Sequence, residues 1–404
     1  MMRVSSNTIF DSSVATLNQQ QARLLQTQRQ IASGSRILTA SDDPVAATRA
    51  LEISQSDAAN TQYASNRDSA RNTLTIAEST LQAVTSLIRD VQTSTISAGN
   101  GSLNSSGRKV IATDLTARLQ ELLGLANSTD GLGNYLFAGF QSRTKPFVDT
   151  TTGMGFFGDD GQNLVQVAAS RQMASSDSGA DVFMRIKNGN GTFVTQPAAA
   201  NTGSGVVSSG SVTNPALLTG NNYSVSFSVE AGAPPVTTYD VTDTTTGFAV
   251  AGMTAQPYVS GQAISFDGIQ LGIKGGPANG DVFTVTPSTN ESLFATISDL
   301  INALNSPVVG ANLTNSLSRG LNNLDKALNN VLTVQATMGL RLNELDALQI
   351  VGDDMGLQFK QTLSKLQDTD YNKAASDLAR QTMGLQAAQQ TFVKVAGLSL
   401  FDYL

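Results

Sequence analysis

Glycines within residues 153–158 have G-x-G-x-x-G spacing, with which backbone amides can approach a pyrophosphate where a strand turns into a helix. Asp159, Asp160 and Gly161 follow directly. This composition is typical of a turn that opens a second strand, and the two carboxylates would repel a phosphate. The motif therefore predicts a hairpin, and we predict no cofactor here.

Ser142 and Lys145 have S-x-x-K spacing, which pairs a serine nucleophile with a lysine general base, but the companion motifs of that chemistry are missing. The sequence also contains Cys 0 and His 0, which removes thiol nucleophiles, imidazole bases and zinc sites of the Cys/His type. We predict no catalytic site, no metal site and no enzyme activity. A carboxylate-based site in the central region stays open as an alternative.

Four pairs of carboxylates could share acid–base chemistry or bind a hard cation. They are Asp42/Asp43, Asp159/Asp160, Asp353/Asp354 and Asp368/Asp370. Each pair lies at a predicted turn or helix boundary, where aspartate commonly caps backbone amides. We therefore predict that these residues are caps and turn residues.

The charge balance of the 404-residue chain limits its partners. Only 14% of the residues are charged, against about 25% in an average globular protein, and the formal net charge is -7. An acidic chain without a Lys/Arg-rich run would be repelled by nucleic acid. Since no apolar stretch approaches roughly 18 residues and the start of the chain lacks the pattern of a secretory signal, we also expect no membrane partner.

Composition changes sharply twice along the chain. Residues 1–140 and 290–404 have a helix-like composition, whereas the segment between them holds most of the Gly and nearly all of the Pro. We predict an α+β fold, in which both termini form a long antiparallel helical coiled coil or bundle with an inserted all-β domain. The predicted domains are a terminal coiled coil (1–43 and 357–404), a helical bundle (44–147 and 290–356) and an outward-facing β domain (148–289).

Heptad repeats predict the long helices, the first of which begins at Pro44 after an Asp43 cap and runs to about Ile96. Its core positions are Arg67, Leu74, Leu81 and Ile88, interleaved with Tyr63, Ala70, Ala77, Val84 and Val91. Leu317, Leu324, Val331, Met338 and Leu345 form the antiparallel partner stripe, with Leu321, Leu328, Gln335 and Leu342 between them. A shorter helix is predicted over residues 108–126, and we expect breaks near residues 352–356 and 368–370.

Alternating and β-branched stretches predict the strands of the insertion. Residues 181–186 are predicted to form a hairpin with residues 193–194, and the clearest alternation covers residues 223–229. Further strands are predicted over 238–242, 263–273 and 281–286.

Two terminal heptad stripes are narrower and more polar than those of the long helices. Val14, Leu17, Leu24 and Ile31 form the first stripe, with Gln21 and Gln28 in the same register, and Leu378, Leu385, Phe392 and Val395 form the second, with Gln381. A two-helix unit of this kind buries little apolar surface and needs neighbours. We therefore predict that these eight apolar residues form an assembly interface.

Three blocks of sequence make the chain recognisable. Residues 31–51 read IASGSRILTASDDPVAATRAL, residues 125–147 read LANSTDGLGNYLFAGFQSRTKPF, and residues 368–404 read DTDYNKAASDLARQTMGLQAAQQTFVKVAGLSLFDYL. These blocks resemble the flagellin superfamily, and the SDDP run resembles its hook–filament junction proteins more than the flagellins. Residues 148–289 carry no motif of the family.

The resemblance implies a structural subunit at the junction between flagellar hook and filament, where it would seat flagellin polymerisation. A flagellin that forms the filament itself is the alternative, and an adhesin-like binding module within residues 148–289 is another. The implied partners are further copies in a ring layer, the other junction protein, flagellin and an export chaperone. The implied location is the extracellular flagellum, reached without a cleaved signal peptide.

Overall fold

A computed structural model describes residues 6–397, apart from residues 152, 231, 233 and 234. The helices are α1 (Ser6–Ser33), α2 (Pro44–Ala98), α3 (Ser105–Ala126), α4 (Leu293–Asn305), α5 (Ala311–Gln367) and α6 (Tyr371–Gly397). The strands are β1 (Phe147–Thr150), β2 (Gly153–Phe156), β3 (Leu164–Ala168), β4 (Arg171–Ala174), β5 (Ile186–Lys187), β6 (Phe193–Pro197), β7 (Val206–Val207), β8 (Ser211–Val212), β9 (Tyr223–Glu230), β10 (Val236–Asp243), β11 (Phe248–Ala249), β12 (Gln256–Pro257), β13 (Ala263–Phe266), β14 (Ile269–Lys274), β15 (Val282–Pro287) and β16 (Asn290–Glu291). The predicted α+β fold with an inserted β domain is confirmed.

The chain divides into two compact units. The terminal unit comprises the residues up to 65 together with those from 347 onward, and the central unit comprises residues 66–346. Helices α2 and α5 contribute residues to both units.

In the central unit, α2 and α5 pack antiparallel. Gln92 donates a hydrogen bond to Asp325 at 2.6 Å, and Arg71 donates one to Asp346 at 2.7 Å, so the numbering of α5 rises as that of α2 falls. The predicted stripes face each other, and their fully buried members include Leu74, Leu81, Val84, Ile88, Leu324, Val331, Met338 and Leu345. The predicted helix pair is confirmed.

The two shorter helices of the central unit begin with a side-chain cap. Asn104 accepts a hydrogen bond from the Gly107 amide at the start of α3, and Ser292 accepts one from the Ala295 amide at the start of α4. These two helices pack against each other. The predicted helix over residues 108–126 is confirmed.

Two antiparallel sheets of the insertion share one hydrophobic core. The first has the strand order β11-β10-β9-β15-β6, with β12 also paired to β10, and the second has the order β13-β14-β7, with β8 also paired to β14. Tyr223, Val225 and Phe227 alternate along β9 and pack with apolar side chains of β13 and β14. The predicted strand over residues 223–229 is confirmed.

Residues 263–273 form a hairpin where the sequence predicts a single strand. The turn between β13 and β14 contains Asp267 and Gly268, with φ angles of 42° and 76°. Two successive residues with positive φ are the requirement of a tight hairpin turn that Asp-Gly satisfies. The continuous apolar pattern conceals this turn.

The predicted hairpin between residues 181–186 and 193–194 is wrong. Ala180–Met184 is a π-helical turn, and its Phe183 ring packs edge-on against Phe137 and Phe147, with centroids 5.4 Å and 5.5 Å apart. The following strand β5 pairs with β16, and β6 pairs with β15. Burial of an aromatic ring and pairing with distant strands therefore override the local pattern.

Helix α5 continues through residues 352–356, so the break predicted there is wrong. Glycine inside a helix costs only about 1 kcal/mol relative to alanine. The Asn60 side-chain amide donates to the Gly352 carbonyl at 2.8 Å, and a Cβ on Gly356 would lie 3.3 Å from the same nitrogen. The absence of a side chain at Gly356 leaves room for Asn60 of α2. The break predicted near residues 368–370 is confirmed, because α5 ends at Gln367.

Candidate functional site

The residues predicted to form the assembly interface lie on α1 and α6, which pack against each other in the terminal unit. Val14, Leu17, Leu24 and Ile31 on α1 and Leu378, Leu385 and Phe392 on α6 are half-buried. The Phe392 ring lies against that of Phe10, with centroids 5.2 Å apart. Val395 belongs to α6, but its side chain lies outside the described residues. The role of these residues in assembly stays a prediction.

The stripe on α1 follows a different register from the predicted one. Gln21 and Gln28 are exposed, whereas Gln20 is half-buried and Thr27 is buried. Both registers repeat every seven residues and differ only in the order of their three- and four-residue steps. The position of the partner helix selects between them, so the prediction for Gln21 and Gln28 is wrong.

Burial in the α1/α6 pair is incomplete. Among the side chains described on these two helices, only Thr27 and Ala374 are buried, at 7% and 8% exposure. A groove of about 280 Å³ opens beside Leu17 and Phe392. More than half of each of the apolar side chains Phe10, Leu25, Tyr371, Met383 and Val393 is exposed. The pair therefore retains apolar surface that neighbouring molecules could cover.

Two glutamines lower the stability of the α1/α6 pair. The side-chain oxygens of Gln20 and Gln381 are buried and have no hydrogen-bond partner among the residues that the structure describes. Leaving a buried acceptor unpaired costs about 1–3 kcal/mol. The heptad pattern predicts Gln381 in the seam, whereas the predicted register of α1 places Gln20 outside it.

Backbone hydrogen bonds join the turn that follows α1 to the turn that precedes α6. The Arg36 amide donates to the Gln367 carbonyl at 2.6 Å, and the Thr369 amide donates to the Gly34 carbonyl at 2.9 Å. Gly34 has a φ of 70°, a conformation that a side chain would strain. Periodicity along the chain does not predict these bonds, because partners so distant in the chain leave no local signal.

Asp42 and Asp43 cap backbone amides, which confirms the prediction for this pair. The Asp42 carboxylate accepts from the amides of Thr39 at 2.8 Å and Leu38 at 3.0 Å, and that of Asp43 accepts from the Ala46 amide at 3.0 Å in the first turn of α2. The bond from Thr39 is the main cause that lowers the pKa of Asp42, and the bond from Ala46 is the main cause for Asp43.

Asp159 and Asp160 are also used inside the fold, as turn residues. One oxygen of Asp159 accepts from the Phe140 and Gly161 amides, each at 2.8 Å. Asp160 pairs with Arg185 at 2.6 Å, and this bond holds the pKa of Asp160 below its usual range. The glycine motif lies in strand β2 and the loop after it, but β2 pairs with the preceding β1, and the strand that follows Asp159–Gly161, β3, pairs with β4. The hairpin predicted across Asp159–Gly161 is therefore wrong.

The two remaining acidic pairs differ. Asp370 accepts from the Lys373 amide at 3.1 Å at the start of α6, as predicted for a cap. Asp353 and its neighbour lie inside α5, where Asp353 accepts from Gln349 at 2.9 Å, so their prediction as boundary residues is wrong.

In the part of the chain that the structure covers, no three acidic side chains group as metal ligands, and no helix is long and apolar enough to cross a membrane.

The fold and the α1/α6 pair define a flagellin-type protein, in which both ends of the chain supply long helices and the middle supplies an inserted β domain. Residues 4–142 match the bacterial flagellin N-terminal helical region. Residues 197–287 match the D2-like domain of flagellar hook-associated protein 1.

Relatives that match over most or all of the chain show which family of flagellin-type proteins it belongs to. Flagellar hook-associated protein 3 of Salmonella typhimurium is 29% identical over 409 residues, which cover 99% of both chains. A crystal structure of flagellar hook-associated protein 3 from Legionella pneumophila is 33% identical, with a TM-score of 0.74, and the match covers 78% of this chain and 98% of that one. The flagellar junction protein FlgL from Legionella pneumophila is 32% identical, with a TM-score of 0.71 and coverage of 79% and 100%. The chain belongs to the flagellar hook-associated protein 3 family.

Proposed function

We propose that this chain is a structural subunit of the bacterial flagellum that forms the hook–filament junction and seats flagellin polymerisation. The observation that carries this proposal is the similarity to hook-associated protein 3 over 99% of both chains. A second relative is named as a flagellar junction protein. These relatives favour the junction over the alternative of a filament-forming flagellin.

The proposed role needs contacts between subunits and no catalysis. The apolar seam that we assign to assembly comprises Val14, Leu17, Leu24, Ile31, Leu378, Leu385, Phe392 and Val395. Its first partner is a second copy of the chain in a ring layer, because every copy brings the same incompletely covered helix pair. The exposed rings and side chains of Phe10, Met383 and Val393 supply further apolar area.

The other proposed partners lie along the axis of the flagellum. Another junction protein covers the ring on the hook side, and flagellin covers it on the filament side. An export chaperone shields the apolar side chains of α1 and α6 before assembly. The assembled location is the outside of the cell, reached through the flagellar export channel without a cleaved signal peptide.

We also propose the three-part division into residues 1–43 with 357–404, residues 44–147 with 290–356, and residues 148–289. The shared core of the two sheets, built from residues between Phe193 and Val285, supports independent folding of this part of the insertion. The outward-facing position of the insertion is part of the same proposal. The Ser288 amide donates to the Thr192 carbonyl at 2.9 Å, so the chain enters and leaves the sheets at adjacent points. Replacing residues 193–287 with a short Gly/Ser link should therefore leave flagella intact, whereas exported protein without filaments would contradict the division.

Immunogold labelling of intact flagella tests the proposed function directly. We expect label confined to one short zone between hook and filament. Label along the whole filament would establish the flagellin alternative, and label absent from flagella would reject both. A strain that lacks the chain is the control for antibody specificity.

A further inference from the structure

Two adjoining cavities lie where α5 meets the β domain within the central unit. The larger has a volume of about 250 Å³, and the smaller, of about 20 Å³, has room for a single water. Thr195, Asn315 and Arg319 line both cavities. We call this space the Arg319 cleft.

One face of α5 supplies polar groups to the Arg319 cleft. Ser316, Ser318 and Asn322 lie within one or two turns of Arg319, and their side chains make no hydrogen bond to another described residue. Asn315 is already used, since it accepts from the Val207 amide at 2.9 Å and donates to the Gly205 carbonyl at 3.0 Å. The cleft therefore contains one polar side chain held by hydrogen bonds within the fold and several polar side chains that are available to a ligand.

Arg319 gives the cleft a positive charge in an acidic protein. Every other described residue that lines the two cavities is uncharged. The nearest carboxylate is that of Asp299, whose oxygen lies 3.9 Å from the guanidinium, beyond hydrogen-bond distance. The Asp299 side chain is 58% exposed, so solvent screens this ion pair. This loose pair leaves most of the guanidinium N–H groups available to another partner.

We propose that the Arg319 cleft binds a small oxyanion ligand, through a carboxylate or phosphate group held by Arg319. A guanidinium matches either group with two parallel hydrogen bonds, and the hydroxyls of Ser316 and Ser318 add donors beside it. Pro197, Ala198 and Val308 also line the larger cavity and suit a short aliphatic body. The bound ligand would bridge α5 to β6, on which Thr195 lies, and would stabilise the seating of the β domain.

Titration of the full-length chain with inorganic phosphate and with succinate tests the proposal. We expect saturable binding by calorimetry and a rise in melting temperature at about 20 mM ligand, well above the roughly 1 mM dissociation constant of a small polar ligand. Sodium chloride at equal ionic strength and 1,4-butanediol, which is succinate without its charges, should bind at least tenfold more weakly. Binding of phosphate alone or of succinate alone identifies the favoured group.

Substitutions then locate the site. Arg319→Gln should weaken binding by at least about tenfold, whereas Arg143→Gln, at an exposed arginine without an ion pair, should leave it within about twofold. Ala198→Leu fills the cavity while keeping the charge, and should abolish binding even where Arg319→Gln disturbs folding. Equal binding by the wild type and both cleft variants, or no response to either oxyanion beyond that to chloride, would overturn the proposal. The location of the chain in the flagellum does not affect this result.

Discussion

The α1/α6 pair and the α2/α5 pair of the central unit carry the same kind of heptad repeat and reach opposite degrees of burial. Leu74, Leu81 and Val84 on α2 are completely inaccessible. Leu24 on α1 and Leu385 on α6 occupy equivalent stripe positions and stay half-buried. Periodicity therefore predicts which face of a helix is apolar, but not how completely that face is covered.

The difference comes from the number of neighbouring elements. In the central unit, α2 has α3 as a further neighbour, and Arg118 of α3 forms an ion pair with Asp90 of α2 at 3.5 Å. Helix α5 has the β domain as a further neighbour, and Asn315 of α5 is buried in contact with it. In the terminal unit, α1 and α6 pack against each other, and their stripe residues stay half-buried. Two helices alone cover only one stripe each. We therefore propose the incompletely covered terminal seam, and not the closed central one, as the surface for assembly.

The largest expected effect is the loss of assembly when the terminal seam is charged. Leu385→Asp places a carboxylate in that seam, where its desolvation finds no partner. We expect exported protein and hooks without stable filaments, while flagellin is shed into the medium. Electron microscopy of the cells and immunoblots of the culture medium measure this outcome.

The control for Leu385→Asp is Asp159→Asn combined with Asp160→Asn. These side chains serve a turn of the central unit, and asparagine oxygens can still accept the amide bonds. Cells with this pair should therefore swim. Normal swimming of Leu385→Asp cells together with loss of motility in the Asp159/Asp160 variant would reverse the assignment of function to the seam.

The second expected effect is a difference between the two helix pairs in how much a leucine contributes to the stability of the isolated chain. Leu81→Ala should lower the free energy of unfolding by about 2–5 kcal/mol, because it leaves a cavity in a closed core. Leu24→Ala removes a side chain that is only half-buried, so it should lower the free energy of unfolding by about 1 kcal/mol or less. Urea titrations followed by circular dichroism give both values. Equal losses would mean that the terminal pair is as well packed in the isolated chain as the central one.

The third expected effect is a gain in stability when the two unpaired glutamines of the terminal seam are replaced. Gln20→Leu with Gln381→Leu replaces two unpaired buried oxygens and should stabilise the α1/α6 pair by about 1–3 kcal/mol. The exposed pair Gln21→Leu with Gln28→Leu is the matched control and should change stability by less than about 0.5 kcal/mol. Hydrogen exchange of the α1 and α6 amides measures the difference. A larger gain from the control would restore the heptad register first predicted.

The smallest effect is a loosening of the turn before α2 in acid. Hydrogen bonds in the folded chain lower the pKa of Asp42 and Asp43 below their ordinary value of 3.8. Their contribution to stability is therefore complete above that value and is lost as the pH falls through the lowered folded values. Amide protection at Thr39 and Ala46 should fall over this acidic range. Asp42→Asn with Asp43→Asn should remove the pH dependence, and persistence of that dependence would assign it to other groups.

Local sequence determined the helical caps, the apolar faces and the order of helix, insertion and helix. Pro44 after Asp43, the leucine repeat around Leu81 and the alternation at Tyr223 each act over one turn or one strand, so their physical signal lies within a few residues. The resemblance of both termini to the flagellin superfamily follows from the same local blocks.

Tertiary structure alone decided the features that depend on distant partners. Gly352 lies inside a helix and its carbonyl accepts from Asn60 of α2, and Phe183 lies in a π-helical turn where its ring packs against other aromatic rings. Gln20 enters the seam because of where α6 lies. The Arg319 cleft likewise needs α5 and β6 together, since Thr195 and Arg319 come from elements far apart in the chain. Periodicity is a property of one segment, whereas burial and pairing are properties of two, and only the folded chain shows which second segment is present.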